Sequence, residues 1–354
     1  MEEVIMLFFK KGLRVLFIVG VLLLLAGCYS SEQDNAGAAA LIARQASVKI
    51  EPSAWLVYWD LDNGEKELKK ISPRLESLSF FAAYFDSHEK LFIPKALLEK
   101  RTKLKKQGKY VEYLTIVNDQ VKTNSSPSVK NTEILKSVLG TDEAMDAHIK
   151  EIITLAKAGN FDGVEIDYER IWRDATTKKL FMKFIERLYG VTQAQGLKLR
   201  VVLEPGTPFS TMHFIAGPEY VVMLYNLYGT HTLLPGPKAD RAFIQKILAN
   251  MAALPEPKSV AYASGGCLWN TKGQRRLLTE KEAVDIIKKH NLQPMRDVES
   301  QCLVLKYREG IVFNYVWFAD ATTINYWISL AKEDGIKNIA LWRLGGNSNI
   351  ENIK

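Results

Sequence analysis

The stretch that most constrains this chain is DGVEIDYE, residues 162–169. Glu165, Asp167 and Glu169 recur at every second position, with Val164, Ile166 and Tyr168 between them. Successive side chains of a β-strand take opposite faces, so this spacing puts three carboxylates on one face and an apolar set on the other. Three neighbouring carboxylates repel one another and are costly to bury. The apolar opposite face and the flanking helical segments still argue for a covered strand rather than a solvated one. Carboxylates held this close push their pKa values apart, which lets one remain protonated while another stays ionised. The stretch is therefore the candidate reactive centre.

Seven further strand-like segments surround it, at 55–59, 78–85, 110–117, 197–203, 220–225, 259–263 and 338–342. Helical segments separate them: a basic one at 95–108, one at 141–158 with a Thr-Asp cap and a Gly159 stop, one capped by Asp174, and one at 239–252. Eight strands alternating with helices predict parallel βαβ units closed into a (β/α)8 TIM barrel. The interval between the seventh and eighth strands is too long for one helix. It holds a capping box, Thr279 to Glu282, opening a helix that runs to about His290, and then two strand-like runs flanking Arg308-Glu309-Gly310. This predicts a small α+β insertion over 266–318, on the catalytic side of a barrel domain spanning 51–354.

The N-terminal region reads as an export signal. Lys10, Lys11 and Arg14 precede the apolar run VLFIVGVLLLLAG, which is short for a membrane span. The run ends in Leu-Ala-Gly-Cys, which resembles the lipobox of bacterial lipoproteins. That resemblance implies a signal peptide over 1–27, lipidation of Cys28, a tether over 28–50 and a lipid-anchored, extracytoplasmic place in the bacterial cell envelope.

The acidic stretch itself resembles the D-x-x-D-x-D-x-E signature of glycoside hydrolase family 18, the chitinase-like family. Asp162, Asp167 and Glu169 match it, and Glu165 stands where the family has Asp. In NIALWRLGG, Trp342 matches the Trp that floors the family's sugar site, and VWFADA, residues 316–321, is similar to the spore-cortex-lytic branch. Met223-Leu-Tyr225-Asn226 is similar to the family's M-x-Y-D, with Asn for the Asp; the S-x-G-G of the third strand is replaced by Ile116-Val-Asn118-Asp119.

The resemblance implies Glu169 as general acid and Asp167 as the group that orients the substrate's N-acetyl oxygen, which acts as the nucleophile. It implies Glu165 as a hydrogen-bond partner of Asp167 and Tyr225 as a donor to the acetamide. Trp342, Asn226, Asn118, Glu204 and Trp59, at or beside strand ends, are the candidate substrate-binding residues.

The net charge of +7 is spread without a basic run or a nucleic-acid motif, so no nucleic-acid partner is expected. The five histidines form no ligand-spaced pair, and neither a metal nor a cofactor is expected. Cys267 and Cys302 are a candidate disulfide or two buried thiols. The reading is a monomeric, membrane-tethered glycosidase acting on β-1,4-linked N-acetylglucosamine-containing glycans, peptidoglycan before chitin. Two alternatives stay open: a non-catalytic carbohydrate-binding barrel, and a retaining glycosidase whose nucleophile is a protein carboxylate such as Glu204.

Overall fold

The computed structural model describes residues 49–104, 109–121 and 127–354; the leader, Cys28 and nearly all of the tether lie outside them. Eight parallel strands form the centre: β1 (Glu51–Val57), β2 (Ser77–Phe85), β3 (Val111–Gln120), β4 (Gly163–Asp167), β5 (Lys198–Leu203), β6 (Glu219–Met223), β7 (Lys258–Ala263) and β8 (Asn338–Trp342). β1 pairs in parallel with both β2 and β8, so the sheet closes on itself as the expected (β/α)8 barrel. Helices Asp142–Ala158, Ala175–Ala194 and Ala321–Glu333 begin where Thr141, Asp174 and Asp320 accept a backbone N–H with their side chains.

The strand alternation sorts the acidic stretch as its spacing requires. Val164, Ile166 and Tyr168 point outward into the main core, with Phe181, Phe184 and Leu188 of the following helix. Glu165 and Asp167 point into the barrel. Gly163 opens β4 where a side chain has no room: a Cβ there would lie 2.6 Å from the Lys198 carbonyl oxygen and 2.7 Å from the Tyr113 ring. Towards the strand ends the lumen is filled by Trp55, Val202, Met223, Tyr225 and Ala263, packed against Trp342.

Three strand ends fall short of the sequence expectation, and each shift matters for the site. β1 begins at Glu51, in register with Asn338, and Tyr58–Asp60 turn as a 3-10 helix, so Trp59 stands on a turn at the barrel mouth. β4 stops at Asp167, so Glu169 lies two residues beyond the strand rather than ending it. β6 stops at Met223, which puts Tyr225 and Asn226 after the strand.

Between β7 and β8 the chain builds a five-stranded antiparallel sheet with the helix Glu280–His290 packed on it, the α+β insertion of the expected fold. The Thr279–Glu282 capping box forms in full. The strand Gly265–Asn270 was not expected, because Ser264-Gly-Gly-Cys267 reads as a glycine turn. Its Gly266 instead allows close approach: a Cβ would sit 1.7 Å from the Trp317 carbonyl oxygen. Cys267 and Cys302 are both buried free thiols rather than a disulfide. Cys267 pairs with Trp317, and Trp317 pairs on its other side with Val304 in the strand that follows Cys302. Two strand spacings, about 9–10 Å, therefore separate Cys267 from Val304, and Cys302 lies two residues earlier in the chain, outside the strand.

Candidate active site

Glu165 is the deepest of the three acids and is fully buried. Across the lumen it accepts hydrogen bonds from Trp55 Nε1 at 2.6 Å, Ser79 Oγ at 2.9 Å and Thr115 Oγ1 at 2.7 Å. Arg200, its register partner on β5, pairs with it at 3.3 Å and with Glu219 at 3.3 Å. The guanidinium also donates to Ser77, Ser79 and Ser53. Glu165 is thus committed to a polar network that bridges opposite sides of the barrel. The expected hydrogen bond from Glu165 to Asp167 is not formed: four other groups already occupy the Glu165 carboxylate. Buried charges persist only when paired and hydrogen-bonded in this way.

Asp167, one pleat nearer the mouth, is in the opposite situation. It is buried, and its Oδ1 has no hydrogen-bond partner. Burial, then the charges of Glu169 and Glu165, push its carboxyl well above the usual range, while Lys130 pulls the other way. Asp167 therefore holds a proton where an ordinary aspartate would not. Tyr225 is buried beside the acids, and burial followed by Asp167 and Glu169 raises its phenol, which stays a hydrogen-bond donor.

Glu169 is fixed through its backbone. The Asn118 amide makes two hydrogen bonds with it: Nδ2 donates to the Glu169 carbonyl at 3.0 Å, and Oδ1 accepts from the Glu169 N–H at 3.0 Å. Glu204 Oε2 accepts from the next N–H, that of Arg170, at 2.8 Å. Arg170 itself has φ 64°, the left-handed turn that carries the chain out of the strand. Asn118 and Glu204, expected to touch substrate, thus hold the backbone around the acid. The Glu169 side chain is only partly buried and forms an ion pair with Lys130. Lys130 is a site residue the sequence reading missed; its backbone N–H is held by Asp119 Oδ1 at 2.7 Å. No spacing rule connects it to Glu169, because the loop that follows β3 delivers it.

The aromatic wall is continuous. Trp342 packs edge-on to Trp55 at 5.8 Å and Phe81 at 4.9 Å, and lies 6.4 Å from Trp59. Trp59 is 50% exposed, a stacking surface rather than a core residue. Asn226 is exposed with φ 71°. The site therefore brings together Glu169, Asp167 and Tyr225 and frames the mouth with Trp342 and Trp59, while Glu165, Asn118 and Glu204 support it from behind. Among the described residues no group of three or more His, Cys, Asp or Glu side chains is placed to hold a metal ion.

No protein-family model and no curated protein sequence matches the chain. Solved structures match it over most of its length. The spore cortex-lytic enzyme SleL of Bacillus cereus has a TM-score of 0.72 at 18% identity, over 86% of this chain and 74% of that one. The fold is the barrel of the chitinases. A Chromobacterium violaceum chitinase gives 0.69 at 18% identity, over 86% of this chain and 96% of its own. The GH18 chitinase of Cycas revoluta, solved with (GlcNAc)3, gives 0.67 at 14% identity, over 85% and 97%. This similarity is one of fold.

Proposed function

We propose that the protein is a family-18-type glycoside hydrolase that cleaves β-1,4-linked N-acetylglucosamine-containing glycans, with retention and with the substrate's own acetamide as nucleophile. The observation that carries this reading is the contrast between two acids two residues apart. Asp167 is buried and partnerless at Oδ1, with its carboxyl pushed well above the usual range by burial, whereas Glu169 stands partly exposed at the mouth on a clamped backbone. Two acids in surroundings this different can hold different protonation states, the condition for acid–base work at one site. Glu169 protonates the leaving oxygen and later activates water; Asp167 and Tyr225 hydrogen-bond the acetamide and orient it. Trp342 gives the sugar a face to stack on.

Chitinases and a spore cortex-lytic enzyme among the structural relatives support a substrate rich in N-acetylglucosamine. The lipobox-like Leu-Ala-Gly-Cys28 supports a lipid anchor in the cell envelope, and so favours peptidoglycan over chitin. The retained Glu169 speaks against a purely binding barrel. The protein-nucleophile alternative, with Glu204, is weakened by the use of Glu204 Oε2 to hold the Arg170 N–H. The test is turnover of chromogenic N-acetylglucosaminides and purified peptidoglycan by the parent and its Glu169→Gln variant. The reading expects turnover that the substitution abolishes. Equal glycan binding by two inert proteins would make the chain a binding barrel.

A further inference from the structure

Against Trp59 and Trp342 of the barrel mouth, on the insertion side, lies a cleft of about 280 Å³, near the lower end of the size range for small-ligand sites. Trp59 and Trp342 form one wall; Leu278, Thr279 and Glu282 of the insertion form the other; Lys238 and Ser264 close it from the side. Its charges are paired with one exception. Arg343 is matched by Asp60 at 2.8 Å. Glu282 is matched by Arg276 at 2.9 Å and caps its helix. Lys238 has no such partner: its ammonium donates to the Ser264 carbonyl at 2.8 Å, and among the described residues no carboxylate forms an ion pair with it. Ser264 in turn donates its N–H to the Trp342 carbonyl at 3.1 Å, so this cation is tied to the residue that walls the sugar site.

A partly buried ammonium with unused donors beside stacking aromatics is an arrangement for an anion carried on a sugar. We propose that Lys238 forms an anion subsite that binds a carboxylate borne by the glycan, in the sugar unit next to the cleavage point. This deepens, and rests on, the glycosidase reading. It separates an acidic wall glycan, whose sugars carry lactyl carboxylates and attached peptides, from a neutral chitin-like chain.

The groups facing Lys238 set its working range. Burial presses its ammonium down to about 8; Cys267 and Cys302 act against that, and Arg343 adds to it. The subsite is charged below that value and fades as pH rises past it, until a bound carboxylate raises it again.

The test is binding to the Glu169→Gln protein, which leaves the probes intact, with and without Lys238→Met. Three tetrasaccharides serve as probes: alternating N-acetylglucosamine and N-acetylmuramic acid with free lactyl carboxylates, the same chain with those carboxylates reduced to alcohols, and the same chain with them capped by a dipeptide. The carboxylated chains should bind about tenfold tighter than the reduced one, the order a partly exposed charge pair supplies. That ratio should fall to near one in Lys238→Met, persist in Lys238→Arg, and decline above pH 8. Preference for the dipeptide-capped chain over the free lactyl chain supports the subsite and assigns the carboxylate to the attached peptide. Equal binding of carboxylated and reduced chains, or a ratio that survives Lys238→Met, overturns the proposal. Parent turnover is measured separately. Turnover without carboxylate preference sinks the subsite alone, and preference without turnover sinks the glycosidase reading alone.

Discussion

Replacing Asn118 by Ala separates positioning from substrate contact. The side chain makes two hydrogen bonds of 3.0 Å, both to the peptide groups of Glu169, and is itself 1% exposed. Truncation leaves a partly buried N–H and C=O without partners, at about 1–3 kcal/mol. For a domain of this size that lowers the melting temperature by roughly 2–4 °C per kcal/mol. The larger effect falls on catalysis. Freed from its clamp, the Glu169 backbone shifts, and a displacement on the order of 1 Å in a reacting group costs about 100-fold in rate. The assay is steady-state turnover of a chromogenic N-acetylglucosaminide alongside thermal melting. Expected is a kcat about 100-fold lower with KM changed less than about threefold. A raised KM with intact kcat would refute the argument, because Asn118 would then be touching substrate. An intact kcat at a lowered melting temperature would show that the clamp does not matter for the acid.

Asp167→Asn should abolish turnover yet raise the melting temperature. The raised carboxyl pKa means that folding disfavours the ionised form, so Asp167 withdraws stability as pH rises above the ordinary aspartate range; the amide removes that loss, and the gain should vanish in acid. A variant less stable at pH 7 than the parent contradicts this. Lys130→Met removes the cation that lowers Asp167 and should move the alkaline limb of the kcat/KM profile upward; an unmoved limb separates Lys130 from the site. Glu165→Ala leaves Arg200 buried with Glu219 as its remaining carboxylate and should cost about 3–5 kcal/mol by denaturant unfolding. A loss below about 1 kcal/mol would mean that Arg200 is solvated or fully served by its serines.

The barrel was legible because its strands and helices each carry a period, and because Asp174, Asp320 and the Thr279–Glu282 box mark helix starts with residue types that do little else so well. The acidic face was legible for the same reason. Three things were not. Strand ends are set by pairing and turning, so aromatic Tyr58 and Trp59 left the strand that their β-propensity suggested. The strand Gly265–Asn270 was hidden by two glycines: Gly265 does turn, at φ 66°, but both also let neighbouring backbone approach closely. The roles of Asn118, Glu204 and Lys130 depend on which backbone groups and loops meet across 34 to 51 residues of sequence, which no local pattern encodes. An arginine in the apolar run of β5, Arg200, does demand a buried acid, and Glu165 is the acid in register with it.

The central claim is that the substrate's acetamide does the nucleophilic work while Glu169 supplies the proton. The most direct measurement compares two substrates with the same leaving group, one an N-acetylglucosaminide and the other its glucoside, in which a hydroxyl replaces the acetamide. The account expects the acetamide to raise kcat by roughly 1000-fold or more, the effect of a built-in nucleophile. Comparable rates on the two would contradict it and return the reaction to a protein carboxylate such as Glu204.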